Sequence, residues 1–163
     1  MHRPLPLREK AMSKPSEFED RFAIRELIDR FCDAINERDW EAFAACFVED
    51  GIWDVGPPIS FRQEGKSQIF EFIRTGAGGL DCVIQTAHAV KITLNGDTAT
   101  ARSTMREVIR APDGSGMQIW GTYYDTLLRT MEGWRFKQRK LLLILQDAQA
   151  PSGTTVKVYD TPS

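Results

Sequence analysis

The hydrophobic period of this chain changes once, near residue 82, and that change restricts the fold more than any other feature. Residues 82–146 read as four long strands separated by three turn signals: NGD at 95–97, PDGSG at 112–116 and MEG at 131–133. Glycine beside Asn or Asp supplies the positive φ that a tight hairpin needs, so the strands are expected to form an antiparallel meander. Upstream the period is helical. Ile24, Leu27, Ile28, Phe31 and Ile35 make one stripe while Arg25, Asp29 and Asp33 fall on the other side, predicting an amphipathic helix over about residues 18–36. Asp39 reads as the N-cap of a second helix, DWEAFAACF, with Trp40, Phe43, Ala44 and Phe47 inward and Glu49, Asp50 and Gly51 ending it. A short strand, IWDV, and the turn residues GPP precede a third helix, KSQIFEFIRT, with Ile69, Phe70 and Ile73 on one side. Each apolar stripe must be buried against another element, so three helices and a run of strands predict an α+β fold with helices covering one face of a curved sheet. A parallel βαβ sheet lacks its crossover helices here.

With 163 residues there is room for one domain, placed over about residues 18–146, between a Pro-rich arm (1–17) and a Pro/Ser/Thr-rich tail (147–163). Within the tail, TVKVY could dock as an edge strand. The 21 basic and 23 acidic residues, net −2, are interspersed along the chain, which argues against a nucleic-acid groove or a membrane-binding stripe. Cys32, Cys46 and Cys82 form no C-x-x-C pair, so neither a disulfide framework nor a zinc site is suggested. No secretory apolar core and no run of 18 apolar residues occurs, and a soluble cytoplasmic protein is expected.

His88 is the informative position, the one histidine outside the arm. It lies in CVIQTAHAVKITL, where strict alternation puts Ile84, Thr86, His88, Val90, Ile92 and Leu94 on one face. That face is the apolar, helix-covered one, so the imidazole is a candidate general base beside a bound substrate; the plain alternative is a core histidine satisfied by its neighbours. Asn36, at the margin of the first helix's stripe, can turn into the same cavity or cap the helix. Asp33 is left in solvent, and Asp54 is read as a surface acid because Trp53 takes the inward position. Tyr123 shares parity with Ile119, Gly121 and Leu127 and could bind a substrate oxygen.

No G-x-G-x-x-G, GxxxxGK[ST], H-E-x-x-H or G-x-S-x-G is present, so no metal and no cofactor is expected. What remains is proton transfer in an apolar pocket. In the last strand, Leu141, Leu142, Leu143, Ile144 and Leu145 make both faces apolar, and a second copy is the economical cover: a homodimer through the outer sheet face is expected.

The opening helix ending in AINERDWEAFAACFVEDG, the QTAH strand, the NGDTA turn, the GTYYD strand and the closing EGWRFKQRKL resemble the SnoaL-like branch of the NTF2-like superfamily, over about residues 18–146. That branch includes polyketide cyclases, scytalone dehydratase, bile-acid dehydratase and hexachlorocyclohexane dehydrochlorinase. The resemblance implies a cone of three helices against a strongly curved sheet, with a pocket inside. It also implies an aspartate at the end of the first helix that orients a sheet histidine for proton removal. The histidine maps onto His88, and the aspartate onto Asn36, a departure. Tyrosines that bind substrate oxygen in scytalone dehydratase map near Ile35 and Val55, and a basic residue of several members maps onto Arg139 or Arg129.

The expectation is a cofactor-independent lyase or isomerase acting on a small hydrophobic cyclic molecule. His88 and Asn36 would be catalytic, with Tyr123, Arg139, Trp53 and Phe31 around the substrate. The competing readings are a non-catalytic domain that binds an apolar ligand or a partner subunit, favoured by Asn36 in place of aspartate, and a structural dimer whose cavity its own side chains fill.

Overall fold

The computed structural model describes residues 15–156. Its elements run α1 (Glu17–Asn36), α2 (Trp40–Ala45), β1 (Phe47–Val55), β2 (Phe61–Glu64), α3 (Lys66–Gly78), β3 (Cys82–Asn95), β4 (Thr98–Arg110), β5 (Gly116–Thr130) and β6 (Gly133–Asp147). The six strands form one sheet in the order β2-β1-β6-β5-β4-β3. β3 to β6 are the antiparallel meander, and β1 joins β6 in parallel. The helices lie against one face, an α+β arrangement.

Local chemistry sets the helix ends. Ser16 and Glu19 form a capping box, Glu19 N–H donating to Ser16 Oγ at 3.2 Å while Ser16 N–H donates to Glu19 Oε2 at 2.7 Å. Asp39 caps α2 by accepting from Ala42 N–H at 2.9 Å. The stripe Ile24, Leu27, Ile28, Phe31 and Ile35 is fully buried. At roughly 2 kcal/mol per buried side chain, that burial outweighs the weak helix propensity of Ile and Phe, about 0.5 kcal/mol each. Between α1 and α2, Arg38 sits at φ +61°, and its guanidinium donates to the carbonyls of Gly78 (3.0 Å) and Leu80 (2.6 Å) at the end of α3. Asp20, buried, pins α1 to the sheet through two 2.6 Å bonds from Arg129 and one of 3.1 Å from Trp134 Nε1.

Two expectations change, and a third falls mostly outside the described residues. α2 ends at Ala45, so residues 47–51, read as the helix terminus, already belong to β1. A bulge between Phe47 and Ile52 brings Gly51 so close to Phe47 that a Cβ would stand 2.9 Å from Phe47 Cβ. The sequence reading also lacked β2, a four-residue edge strand. Of TVKVY, only Thr155 and Val156 fall among the described residues and neither is in a strand; the rest lies outside them, as does nearly all of the N-terminal arm.

Two further bulges matter more. Between β3 and β4 the register goes from Ala87↔Met105 to Val90↔Ser103, one extra residue on β3; between β5 and β6 it goes from Thr126↔Gln138 to Leu127↔Phe136, one extra on β6. An extra residue flips every later side chain to the opposite face. On β3 the inward set is therefore Val83, Gln85 and Ala87, then Val90, Ile92 and Leu94, whereas on β6 it is Trp134 and Phe136, then Arg139 and Leu141. Of the run 141–145 on which the homodimer expectation rests, Leu141 is buried and Leu143 packs partly against the core, while Leu142, Ile144 and Leu145 stand exposed.

A candidate active site in the cone

Between α1, α3 and the inner sheet face lies an apolar cavity of about 250 Å³. Trp53 and Phe61 wall one side with Phe72; Ile35, Val83, Ile109 and Leu141 contribute aliphatic surface. The aromatic wall is built by edge contacts, Trp53 to Phe61 at 4.8 Å and Trp53 to Phe43 at 5.1 Å between centroids. Three of the lining residues carry a polar side-chain group: Glu107, Tyr123 and Trp53 with its indole N–H.

Glu107 stands on β4, in the inward series Ala99, Ala101, Ser103, Met105. No basic side chain pairs with it among the described residues. Its one hydrogen-bond partner there is Gln85, whose Nε2 donates to Oε1 at 3.3 Å. Burial pushes the carboxyl from its ordinary 4.5 up to about 7, against the Gln85 hydrogen bond, which lowers it. Gln85 is itself clamped. Asn36 Nδ2 donates to the Gln85 carbonyl at 2.9 Å, and Gln85 N–H donates to Asn36 Oδ1 at 2.7 Å, while Cys32 Sγ donates to Gln85 Oε1 at 3.7 Å. Asn36 thus fastens the end of α1 to β3 in place of a β-ladder partner. Burial also raises Tyr123, keeping the phenol a neutral donor, and lifts the Cys32 and Cys46 thiols to about 11, which leaves both unreactive.

The structure sorts the expected site residues. Trp53 and Tyr123 line the cavity. Phe31 is fully buried behind them, 6.2 Å from Trp53 and 5.9 Å from Tyr123 between ring centroids. Asn36 turns inward, but its partner is the backbone of Gln85. His88 does not face the cavity. The β3 bulge leaves it on the exposed side with Ile84 and Thr86, where its carbonyl accepts from Arg25 Nη1 at 3.2 Å and its imidazole makes no hydrogen bond among the described residues. The correction follows from assuming unbroken alternation through a strand that contains one extra residue.

Arg139 is corrected as well. It is fully buried yet absent from the cavity lining. Its guanidinium lies 4.2 Å from the Phe31 ring, 3.9 Å from Tyr123 and 4.4 Å from Phe136, with Nε 3.6 Å from Asp125 Oδ1. Arg129 is committed to Asp20 and Asp97. Asp54 lies near Arg62 and Lys140, and Asp33 is exposed, as expected.

Sequence reasoning missed Glu107, Gln85 and Asp125. A signal existed for two of them. Asp125 shares the parity already assigned to Tyr123, and Glu107 occupies the inward parity of ATARSTMREV; an acid at an inward position is the mark of a buried carboxyl. Beyond β6 the chain returns to the cavity's Leu80–Ile109 end. There Arg110 donates to the Gly153 carbonyl and to Thr155 Oγ1, and Thr155 donates to Asp81 at 2.8 Å.

Comparison with known proteins bears on this arrangement. A family described as the SnoaL-like domain matches residues 16–140. Among solved structures, an NTF2-like protein with a cystatin-like fold from Novosphingobium aromaticivorans is 29% identical, covering 78% of this chain and 83% of that one at a TM-score of 0.67. A protein from the same organism, assigned provisionally as a scytalone dehydratase, is 20% identical over 84% and 96% of the two chains (TM-score 0.72). A hexachlorocyclohexane dehydrochlorinase from Novosphingobium barchaimii is 14% identical over 86% and 95% (TM-score 0.71). At such identity the last two speak for the fold alone. No curated protein matches the sequence.

Proposed function

The chain belongs to the SnoaL-like domain family, and from that premise we propose that it is a cofactor-independent lyase or isomerase moving a proton on a small hydrophobic cyclic molecule. The observation that carries the reading is one carboxyl, Glu107, set into an apolar cavity with its pKa near 7. A general base works best when its pKa lies near the operating pH, since it is then both ionised in useful amount and basic enough to take a proton. The names of the dehydratase and dehydrochlorinase that share the fold describe eliminations, the same class of chemistry.

In this mechanism the ionised Glu107 takes a proton from the carbon next to a substrate carbonyl. The C–H electron pair moves into the carbon framework, and the Tyr123 hydroxyl donates to the oxygen on which negative charge builds. For an elimination, the electrons then form a C=C bond as hydroxide leaves with its bonding pair; hydroxide takes the proton from Glu107, releasing water and restoring the carboxylate. For an isomerisation, Glu107 returns the proton to a different carbon. The Gln85 amide holds the carboxyl in one orientation.

A second reading, a non-catalytic domain for the same kind of ligand, draws on one observation. The family resemblance maps an aspartate onto Asn36 and a histidine onto His88, but Asn36 is an amide bonded to the Gln85 backbone and His88 lies on the exposed side, so that proton-transferring pair is not assembled. Hydrogen–deuterium exchange separates the two without knowledge of the natural substrate. Cyclic ketones of one and two rings are incubated with protein in D2O, and loss of the α-proton signal is followed by NMR. Wild type is expected to exchange at least one of them, and Glu107→Gln to do so 10²- to 10⁴-fold more slowly. Tight binding without exchange selects the second reading.

A further inference from the structure

Charges that alternate along the sequence are separated in space. β3 to β6 carry nine basic residues against three acids, Glu107, Asp125 and Asp147. Glu107 and Asp125 are buried on the inner side, and Asp147 is the last residue of β6. Of the nine bases Arg139 is buried inside as well, and Arg110, Arg129, Arg135 and Lys137 pair with acids, so the cationic character of the outer face rests on Lys91, Arg102, Arg106 and Lys140, in a chain whose net charge is −2.

Its centre is one row in register across four strands. Lys91 pairs with Arg102, Arg102 with Tyr124, and Tyr124 with Lys140. The row spans three strand spacings, roughly 14 Å. Like charges directly opposite one another on neighbouring strands are unfavourable, and Lys91 faces Arg102 with no acid between them. Among the described residues neither side chain makes a hydrogen bond or an ion pair. Lys140 has a carboxylate nearby, Asp54 at 3.7 Å. Tyr124 lies exposed between Arg102 and Lys140. Two hollows flank the row: one of about 470 Å³, which adds Thr93, Thr100, Thr126, Gln138 and the acid Asp125, itself beside Arg139, and one of about 330 Å³, which adds Thr104 and Thr122.

We propose that this face is a second ligand site, separate from the cone, for a phosphate ester whose organic part is a planar ring. Lys91 and Arg102 take the phosphate, where charge-assisted hydrogen bonds are strongest and where the threonine hydroxyls add neutral donors. The ring stacks on Tyr124, and Lys140 faces it from the far side. The occupant is a small molecule rather than a polymer, because the cations of this row left without a partner among the described residues are two neighbours, Lys91 and Arg102, while Arg106 is bonded to Gln118 and the exposed Leu142 and Ile144 follow Lys140 along β6, so no continuous cationic stripe is formed.

The test is calorimetric titration at 50 mM salt with ATP and with inorganic tripolyphosphate as probes. Wild type is expected to bind both saturably, and ATP tenfold or more tightly. Lys91→Gln/Arg102→Gln should weaken both probes by at least tenfold, while Tyr124→Ala should erase the preference for ATP. Arg74→Gln, which removes a cation from α3 paired to Glu71, should change nothing. The three altered side chains are exposed, and an unchanged amide NMR spectrum outside the row certifies folding of each variant. Equal affinity of wild type for the two probes overturns the ring platform. Binding that survives in the double variant, or falls as far in Arg74→Gln, overturns the site. A single-stranded oligonucleotide bound more tightly than ATP makes the face a nucleic-acid surface and overturns the small-molecule assignment.

Discussion

Two carboxyls enter the inner face of the sheet from neighbouring strands, and their surroundings are opposite. Glu107 on β4 meets an amide and an open apolar cavity; Asp125 on β5 meets a buried guanidinium walled in by three aromatic rings. Burial raises both, Glu107 to about 7 and Asp125 to about 6, with Arg139 pulling Asp125 back. The lesson is that burial alone does not make a functional acid. A counter-charge in a closed core yields a structural pair, whereas a neutral partner and adjoining space leave a carboxyl free to exchange its proton with a ligand.

The comparison breaks first at function. Glu107→Gln should abolish proton exchange by the factor given above, whereas Asp125→Asn, if it folds, should retain exchange within tenfold; equal losses in the two variants would erase the distinction. Next comes stability. Arg139→Met leaves Asp125 buried without its cation and should lower the unfolding free energy by about 3–5 kcal/mol in urea denaturation. Arg139→Met/Asp125→Leu should recover most of that loss, because an apolar pair has no charge to desolvate. A double variant as unstable as the single would mean that Arg139 acts through ring packing rather than charge.

The pH dependence sharpens the same contrast. Below about pH 4.5 Glu107 is protonated folded or unfolded, and its burial carries no penalty for a charge. Between 4.5 and 7 the folded chain keeps a proton that the unfolded chain has lost, so stability falls as pH rises, and the loss is complete above 7. At about 1.4 kcal/mol per unit the full effect is up to about 3 kcal/mol. Glu107→Gln should therefore match wild type at pH 4 and exceed it by up to that amount at pH 8. A wild-type advantage at pH 8 would point to an unrecognised cation beside Glu107. Smaller still is Asn36→Ala, which removes both bonds to the Gln85 backbone and should cost about 1–3 kcal/mol while broadening the Glu107 titration seen by 13C NMR. The smallest effect is expected from His88→Ala on the exposed face: within about 0.5 kcal/mol in stability and no change in exchange.

Much of the architecture was legible because its signals are local. The stripe of α1, the Asp39 cap and the glycines at 96, 114 and 133 act through neighbours a few residues away. Tyr123 and Trp53 were placed on the correct face because their own strands alternate unbroken around them; the extra residues in the β5–β6 ladder lie on β6. His88 was misplaced because it lies within the stretch of β3 that carries the extra residue of its ladder, whereas the place expected of Arg139 came from the family resemblance and not from parity. A bulge is a relation between two strands, and neither strand alone carries a compositional mark of it.

By itself, then, the order of residues determined the helices, the hairpins and the α+β class, since periodicity and turn chemistry are read within single segments; the apolar hollow was implied by the family resemblance. Only the assembled sheet decided which polar groups enter that hollow. Register between strands selected Glu107 and Gln85 over His88, sealed Arg139 against Asp125, and gathered scattered lysines and arginines onto one outer face. Those outcomes depend on pairings between strands, and on the desolvation that follows from them, which no single segment encodes.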